Sequence, residues 1–126
     1  MNSADHAQVV ALIERYFEGL YHADSSVLRQ VFHPNLAYVC ATEGDKLYLD
    51  LDTYMSRVDG RVPPAKRGDP RDEAILEIAF GSQSLAKVTA RMSMLGRDYL
   101  DYLTLVRHGG EWRIVTKAFT YIPRRT

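Results

Sequence analysis

The chain has 126 residues, with 16 lysines and arginines against 16 aspartates and glutamates, so its formal net charge is zero. That length fits one domain, residues 1–126, and the even balance leaves no basic field to hold phosphate backbones, which excludes nucleic acid as the main partner. One cysteine, Cys40, excludes an intrachain disulfide, while the lack of an export signal or a run of roughly 18 uncharged apolar residues excludes a membrane partner and predicts a cytoplasmic protein.

From Ser3 to about His22, Val9, Leu12, Ile13, Tyr16, Phe17 and Leu20 recur at helical spacing, and Ser3 or Asp5 can cap the start. Asp24, Ser25 and Ser26 offer a second cap before Val27, Leu28, Val31 and Phe32, a short helix that Pro34 is expected to stop. Two extended runs then flank Glu43-Gly44-Asp45-Lys46, a hairpin turn. Asp50 or Asp52 can cap a third helix carrying Tyr54, Met55 and Val58, and RVPPAKRGDPR reads as a loop without helix or strand.

The remainder is β. Strands are predicted over Ala74–Phe80, Leu85–Leu95, Tyr99–Arg107 and Trp112–Ile122, with turns at Gly81-Ser82-Gln83-Ser84, Gly96-Arg97-Asp98 and His108-Gly109-Gly110-Glu111. Helices first and a meander afterwards predict an α+β fold, with helices on one face of a curved antiparallel sheet.

Residues two apart share a strand face. Tyr99, Asp101, Leu103 and Leu105 form one side of the penultimate strand, and Leu100, Tyr102, Thr104 and Val106 the other. In the last strand, Trp112, Ile114, Thr116 and Ala118 oppose Arg113, Val115, Lys117 and Phe119. Neither strand has a plainly hydrophilic side, and no helix remains to cover the second face. A homodimer through the sheet follows, and the zero net charge favours self-association. Asp101 lies in the middle of the apolar run "YLDYLTLV", where an unpaired charge is unfavourable by several kcal/mol, roughly, so it must be paired, protonated or facing a wet cavity.

Tyr16, on the apolar face of the first helix, needs a partner for its phenol if buried. Tyr38, Tyr48, Tyr54 and Trp112 are candidates to line a pocket for a flat ring. Met92 and Leu103 add soft apolar surface. The four histidines are scattered, and neither H-x-x-x-H nor a carboxylate cluster suggests a metal. No cofactor is expected.

The segments "DSSVLRQVFHP" and "DYLTLVRHGGEWRI", together with the order of elements over nearly the whole chain, resemble the nuclear-transport-factor-2-like (NTF2-like) superfamily. The likeness is nearest its bacterial branch named "putative lumazine-binding", which is similar to polyketide-cyclase-like and ketosteroid-isomerase-like members. The resemblance implies a cone, a curved sheet wrapped around the N-terminal helices, with a pocket inside and dimerisation through the sheet. Ketosteroid isomerases use an aspartate base and an oxyanion hole made by a tyrosine and a protonated aspartic acid. "ERYFEGL" resembles their first helix and places Tyr16 at the hole tyrosine; "DYLTLVR" places Asp101 at the protonated acid. "FHPNLAYVC" resembles the stretch carrying the base, where this chain has Cys40. Two donors are kept and the proton acceptor is missing.

The expectation is therefore a small-molecule-binding protein with a mostly apolar cone pocket, taking a hydrophobic or ring-containing molecule held by Tyr16 and Asp101. The alternatives are an isomerase, cyclase or dehydratase acting on a carbonyl compound by proton transfer, with Asp45, Asp50 or Cys40 as base, and a dimeric interaction module whose cone is filled by its own side chains.

Overall fold

The computed structural model describes residues 3–124. The first helix, α1 (Ser3–Tyr21), buries Val9, Leu12, Ile13, Tyr16, Phe17 and Leu20, the stripe read from the sequence. Asp24 caps α2 (Ser25–Val31), accepting from the backbone N–H groups of Ser26 and Val27.

The chain then passes directly into β1 (Phe32–Cys40), so Phe32 belongs to the strand and Pro34 lies within it rather than ending the helix. Two effects allow this. A residue preceding proline is pushed towards extended backbone, and the ladder between β1 and its neighbour skips from Phe32 to Ala37, so Pro34 is not required to donate to it.

A hairpin joins β1 to β2 (Leu47–Leu49). Asp50 caps α3 (Leu51–Asp59) by accepting from the Thr53 N–H at 2.8 Å. The expected loop that follows contains one short helix, α4 (Pro64–Arg67). Proline at the first helical position has a preset φ and gives up an N–H that would have no partner there anyway, so the Pro-Pro pair starts a turn of helix.

The meander comprises β3 (Asp72–Ser82), β4 (Leu85–Met94), β5 (Arg97–His108) and β6 (Glu111–Pro123). Two-residue turns close both later hairpins, with positive φ at Leu95 and Gly96 and at Gly109 and Gly110. Leu95 is held in that conformation by its N–H bond to Asp69 Oδ2 at 3.0 Å.

The six strands form one curved, unclosed sheet in the order β2-β1-β6-β5-β4-β3, antiparallel except for the β1–β6 pair, which runs parallel. Helices α1, α2 and α3 fill the concave side, where the core gathers. Two irregularities in the β3–β4 ladder and one in the β5–β6 ladder curl the sheet. In β6 the extra residue is Val115: Leu105 pairs with Ile114, while Thr104 pairs with Thr116. Before the bulge Trp112 and Ile114 point inward; after it Lys117 and Phe119 do. No helix among the described residues is long and apolar enough to cross a membrane.

Candidate functional site

Asp101 points into the cone and is 1% exposed. The Tyr16 hydroxyl, brought across from α1, donates to its Oδ2 at 2.5 Å. The other carboxylate oxygen, Oδ1, is buried without a hydrogen-bond partner among the described residues. Burial pushes the Tyr16 phenol well above its ordinary pKa, and the neighbouring Asp101 carboxylate pushes it further, so Tyr16 is a proton-holding donor.

A third group completes this cluster. Lys117 is 4% exposed, and its Nζ donates to the Tyr54 hydroxyl at 3.0 Å. It lies two residues along β6 from Phe119, the register partner of Asp101, and so shares the inward face diagonally. The rings of Tyr16, Phe119, Tyr54 and Tyr38 surround the ammonium, their centroids 5.1, 5.1, 5.2 and 5.8 Å from Nζ. Aromatic faces attract a cation this close. Burial works against the lysine charge, but Tyr54, then Asp101 and Tyr38, more than offset it, leaving the pKa above the ordinary lysine value. Lys117 is a buried ammonium, not a nucleophilic amine.

Above the cage lies the mouth of the cone. A cavity of about 180 Å³ there is floored by Tyr38, Cys40, Tyr99 and Phe119. Tyr38 and Phe119 thus serve both as floor of the mouth and as roof of the lysine cage. Burial pushes the Tyr38 phenol up to about 12, although the Lys117 charge pulls the other way. The walls carry Arg57 and Arg61 from the end of α3 and the turn after it, and Arg97 from the start of β5. The Arg97 guanidinium lies 4.0 Å over the Tyr121 ring. Asp45 is the carboxylate in the wall, and it accepts a hydrogen bond from the Tyr121 hydroxyl.

The site residues anticipated from the sequence are divided among three places. Tyr16, Asp101, Tyr54, Leu103, Met92 and Trp112 are packed in the interior, and Tyr38 and Cys40 line the mouth. Trp112 packs against Phe80 at 5.9 Å and below Arg107 at 5.7 Å. Tyr48 lies on the surface, 74% exposed. The strand bulge explains Trp112, because inward residues on its two sides belong to different sections of the cone.

The expected apolar chamber around Tyr16 and Asp101 is corrected on two counts. Lys117 and the aromatic rings occupy the space over the pair, and the hollow above them has charged walls. Sequence reasoning missed Lys117, Arg57, Arg61 and Arg97. The four-residue spacing of Arg57 and Arg61 is visible in the sequence, whereas Lys117 follows the Val115 bulge, which reverses the inward face of β6. No group of three or more histidine, cysteine, aspartate or glutamate side chains among the described residues is arranged to hold a metal ion.

Known proteins resemble this arrangement of elements closely. An NTF2-like protein of unknown function from Silicibacter pomeroyi DSS-3 superposes with a TM-score of 0.80 at 24% identity, over 97% of this chain and 100% of that one. A second, from Shewanella baltica OS155, gives 0.86 at 18% identity, over 98% of each chain. A ketosteroid isomerase-like protein from Erwinia carotovora atroseptica SCRI1043 gives 0.71 at 13% identity, over 94% of this chain and 96% of that one. At these identities the likeness is one of fold. No curated protein matches the chain. A family described as "Putative lumazine-binding" matches residues 4–120. With that match spanning nearly all the elements of the cone, the chain belongs to this family, and its fold is that of the NTF2-like structures.

Proposed function

We propose that the chain is a small-molecule-binding protein whose ligand enters the mouth of the cone and rests on Tyr38 and Phe119. The observation that carries this is the hollow of about 180 Å³ at the mouth, whose lining shares Tyr38 and Phe119 with the rings around the buried Lys117. A concave site with aromatic walls and a few convergent polar groups is the usual form of a small-ligand pocket. Lys117, Tyr16 and Asp101 lie below the floor and act through it, by fixing the positions and charge environment of Tyr38 and Phe119.

Thermal-shift measurement with a broad set of single-ring compounds tests the proposal. The expected result is stabilisation of the wild-type chain by a subset of them, lost when Leu47, a mouth residue, is replaced by tryptophan. If no compound raises the melting temperature of the wild type, the pocket has no such role.

One observation favours a catalytic reading in second place. Cys40 stands where the resemblance puts the general base, and the Asp45 carboxylate lines the same cavity as Cys40. A proton-transfer enzyme acting on a carbonyl compound would use Asp45 as its base, held by the Tyr121 hydroxyl.

A further inference from the structure

The described arginines divide into two groups. Apart from Arg15, which donates to Gln30, every arginine outside the mouth holds a carboxylate. Arg57, Arg61 and Arg97 hold none within ion-pair distance, and all three line the one cavity of about 180 Å³. In a chain of zero net charge, three guanidinium groups without a carboxylate in ion-pair contact, converging from two elements far apart in sequence, make a local excess of positive charge.

The helix dipole accounts for only part of it. Arg57 lies in the last turn of α3, where a cation meets the negative end of the helix. Arg61 lies beyond the Gly60 cap, outside the helix. Arg97 arrives from β5 and gains nothing from that helix. The one acid in the wall, Asp45, is engaged by Tyr121. One carboxylate against three guanidinium groups leaves a surplus of two positive charges.

We propose that the mouth is a binding site for a single-ring carboxylate, its ring on the aromatic floor and its carboxylate among Arg57, Arg61 and Arg97. This rests on the mouth being the ligand site proposed above. Size sets the ring count, since an engineered apolar cavity of about 150 Å³ in another protein takes up benzene. The hollow here holds one six-membered ring with a small head group. Tyr38 and Phe119 meet at 5.0 Å and 69°, and Tyr99 and Phe119 at 5.8 Å and 49°, giving tilted faces against which a flat ring packs. Guanidinium groups supply planar forks that match a carboxylate with two parallel hydrogen bonds.

Calorimetric titration with benzoate, its neutral isostere benzamide, and inorganic phosphate tests this on the wild-type chain. Benzoate is expected to bind at least tenfold more tightly than either of the others. Arg97→Gln, and separately the pair Arg57→Gln with Arg61→Gln, should each weaken benzoate at least tenfold and leave benzamide unchanged. Equal binding of benzoate and benzamide overturns the carboxylate assignment while leaving the pocket as a ligand site. Phosphate binding as tightly as benzoate overturns the ring requirement. Failure of both ring compounds to bind, with the chain folded, removes this proposal, and failure of the wider compound set removes the pocket beneath it. The wild-type comparison decides the matter even if a variant misfolds.

Discussion

Four polar or charged side chains are buried among the described residues, and each has a partner: Asp5 with Arg107, Ser93 with Asp98, Asp101 with Tyr16, and Lys117 with Tyr54. The last two pairs share one interior and are coupled through the field of Asp101. Both Tyr16 and Lys117 have pKa values raised above their ordinary 10.0 and 10.5. The folded chain therefore keeps these protons to higher pH than the unfolded chain does, and stability falls as pH rises through that window. Their contribution is complete below about pH 10 and is lost above it, each group adding up to about 1.4 kcal/mol per pH unit to the slope. Urea unfolding followed from pH 7 to 12 should thus show a steep alkaline decline. Tyr16→Phe should make it shallower by one proton's share. An unchanged slope in that variant, or a Tyr16 phenol ionising near pH 10 in the folded chain, would refute the buried-donor assignment.

At the scale of elements, the crossing of α1 and α2 depends on a glycine. A Cβ built on Gly19 would meet Leu28 Cδ2 at 2.6 Å and Cγ at 2.8 Å, and Leu28 is fully buried. Helix propensity alone predicts that Gly19→Ala stabilises by up to about 1 kcal/mol. Packing predicts the reverse, a loss of about 1–3 kcal/mol from overfilling a closed contact. We expect the loss, read as a lower urea midpoint, and a gain would mean that the two helices separate easily. The buried stripe of α1, the Asp24 and Asp50 caps and the glycine hairpin were all legible, because local spacing and turn chemistry encode them. Pro34 inside β1 and the parallel β1–β6 pairing were not, since each depends on which strand lies alongside, and the helix at Pro64 is a single turn inside a run rich in proline and glycine that reads as loop. Tyr16 and Asp101 were legible from their faces and from the family likeness. Lys117 was obscured by the bulge at Val115: strict alternation from Trp112 sends it outward, and a single extra residue reverses the face.

For the whole molecule, the outer side of the sheet sets the terms of assembly. All the helices that pack on the sheet lie on its concave side, yet Leu76, Tyr102 and Ile122 are 54, 61 and 65% exposed. Leu76, Leu100 and Ile122 border an open groove of about 720 Å³, together with Asp72, Arg91, Asp98 and Arg124, which pair with one another across it. A sheet face left to water should be polar, and large exposed apolar side chains on it suit an interface. We expect a second copy of the chain to cover it, because the groove's charges are already balanced and zero net charge sets no long-range barrier between copies. A stable pair needs about 800 Å² from each partner, a little over a tenth of the 6954 Å² surface. Sedimentation equilibrium should accordingly give twice the 14.3 kDa chain mass. Tyr102→Glu combined with Ile122→Glu should return the chain to a monomer. Because the mouth opens on the side that holds α3, the monomeric variant should still respond to ring compounds. A concentration-independent monomer mass for the wild type would overturn the dimer. Loss of ligand response in the monomeric variant would instead mean that the pairing of sheets and the shape of the mouth are one property.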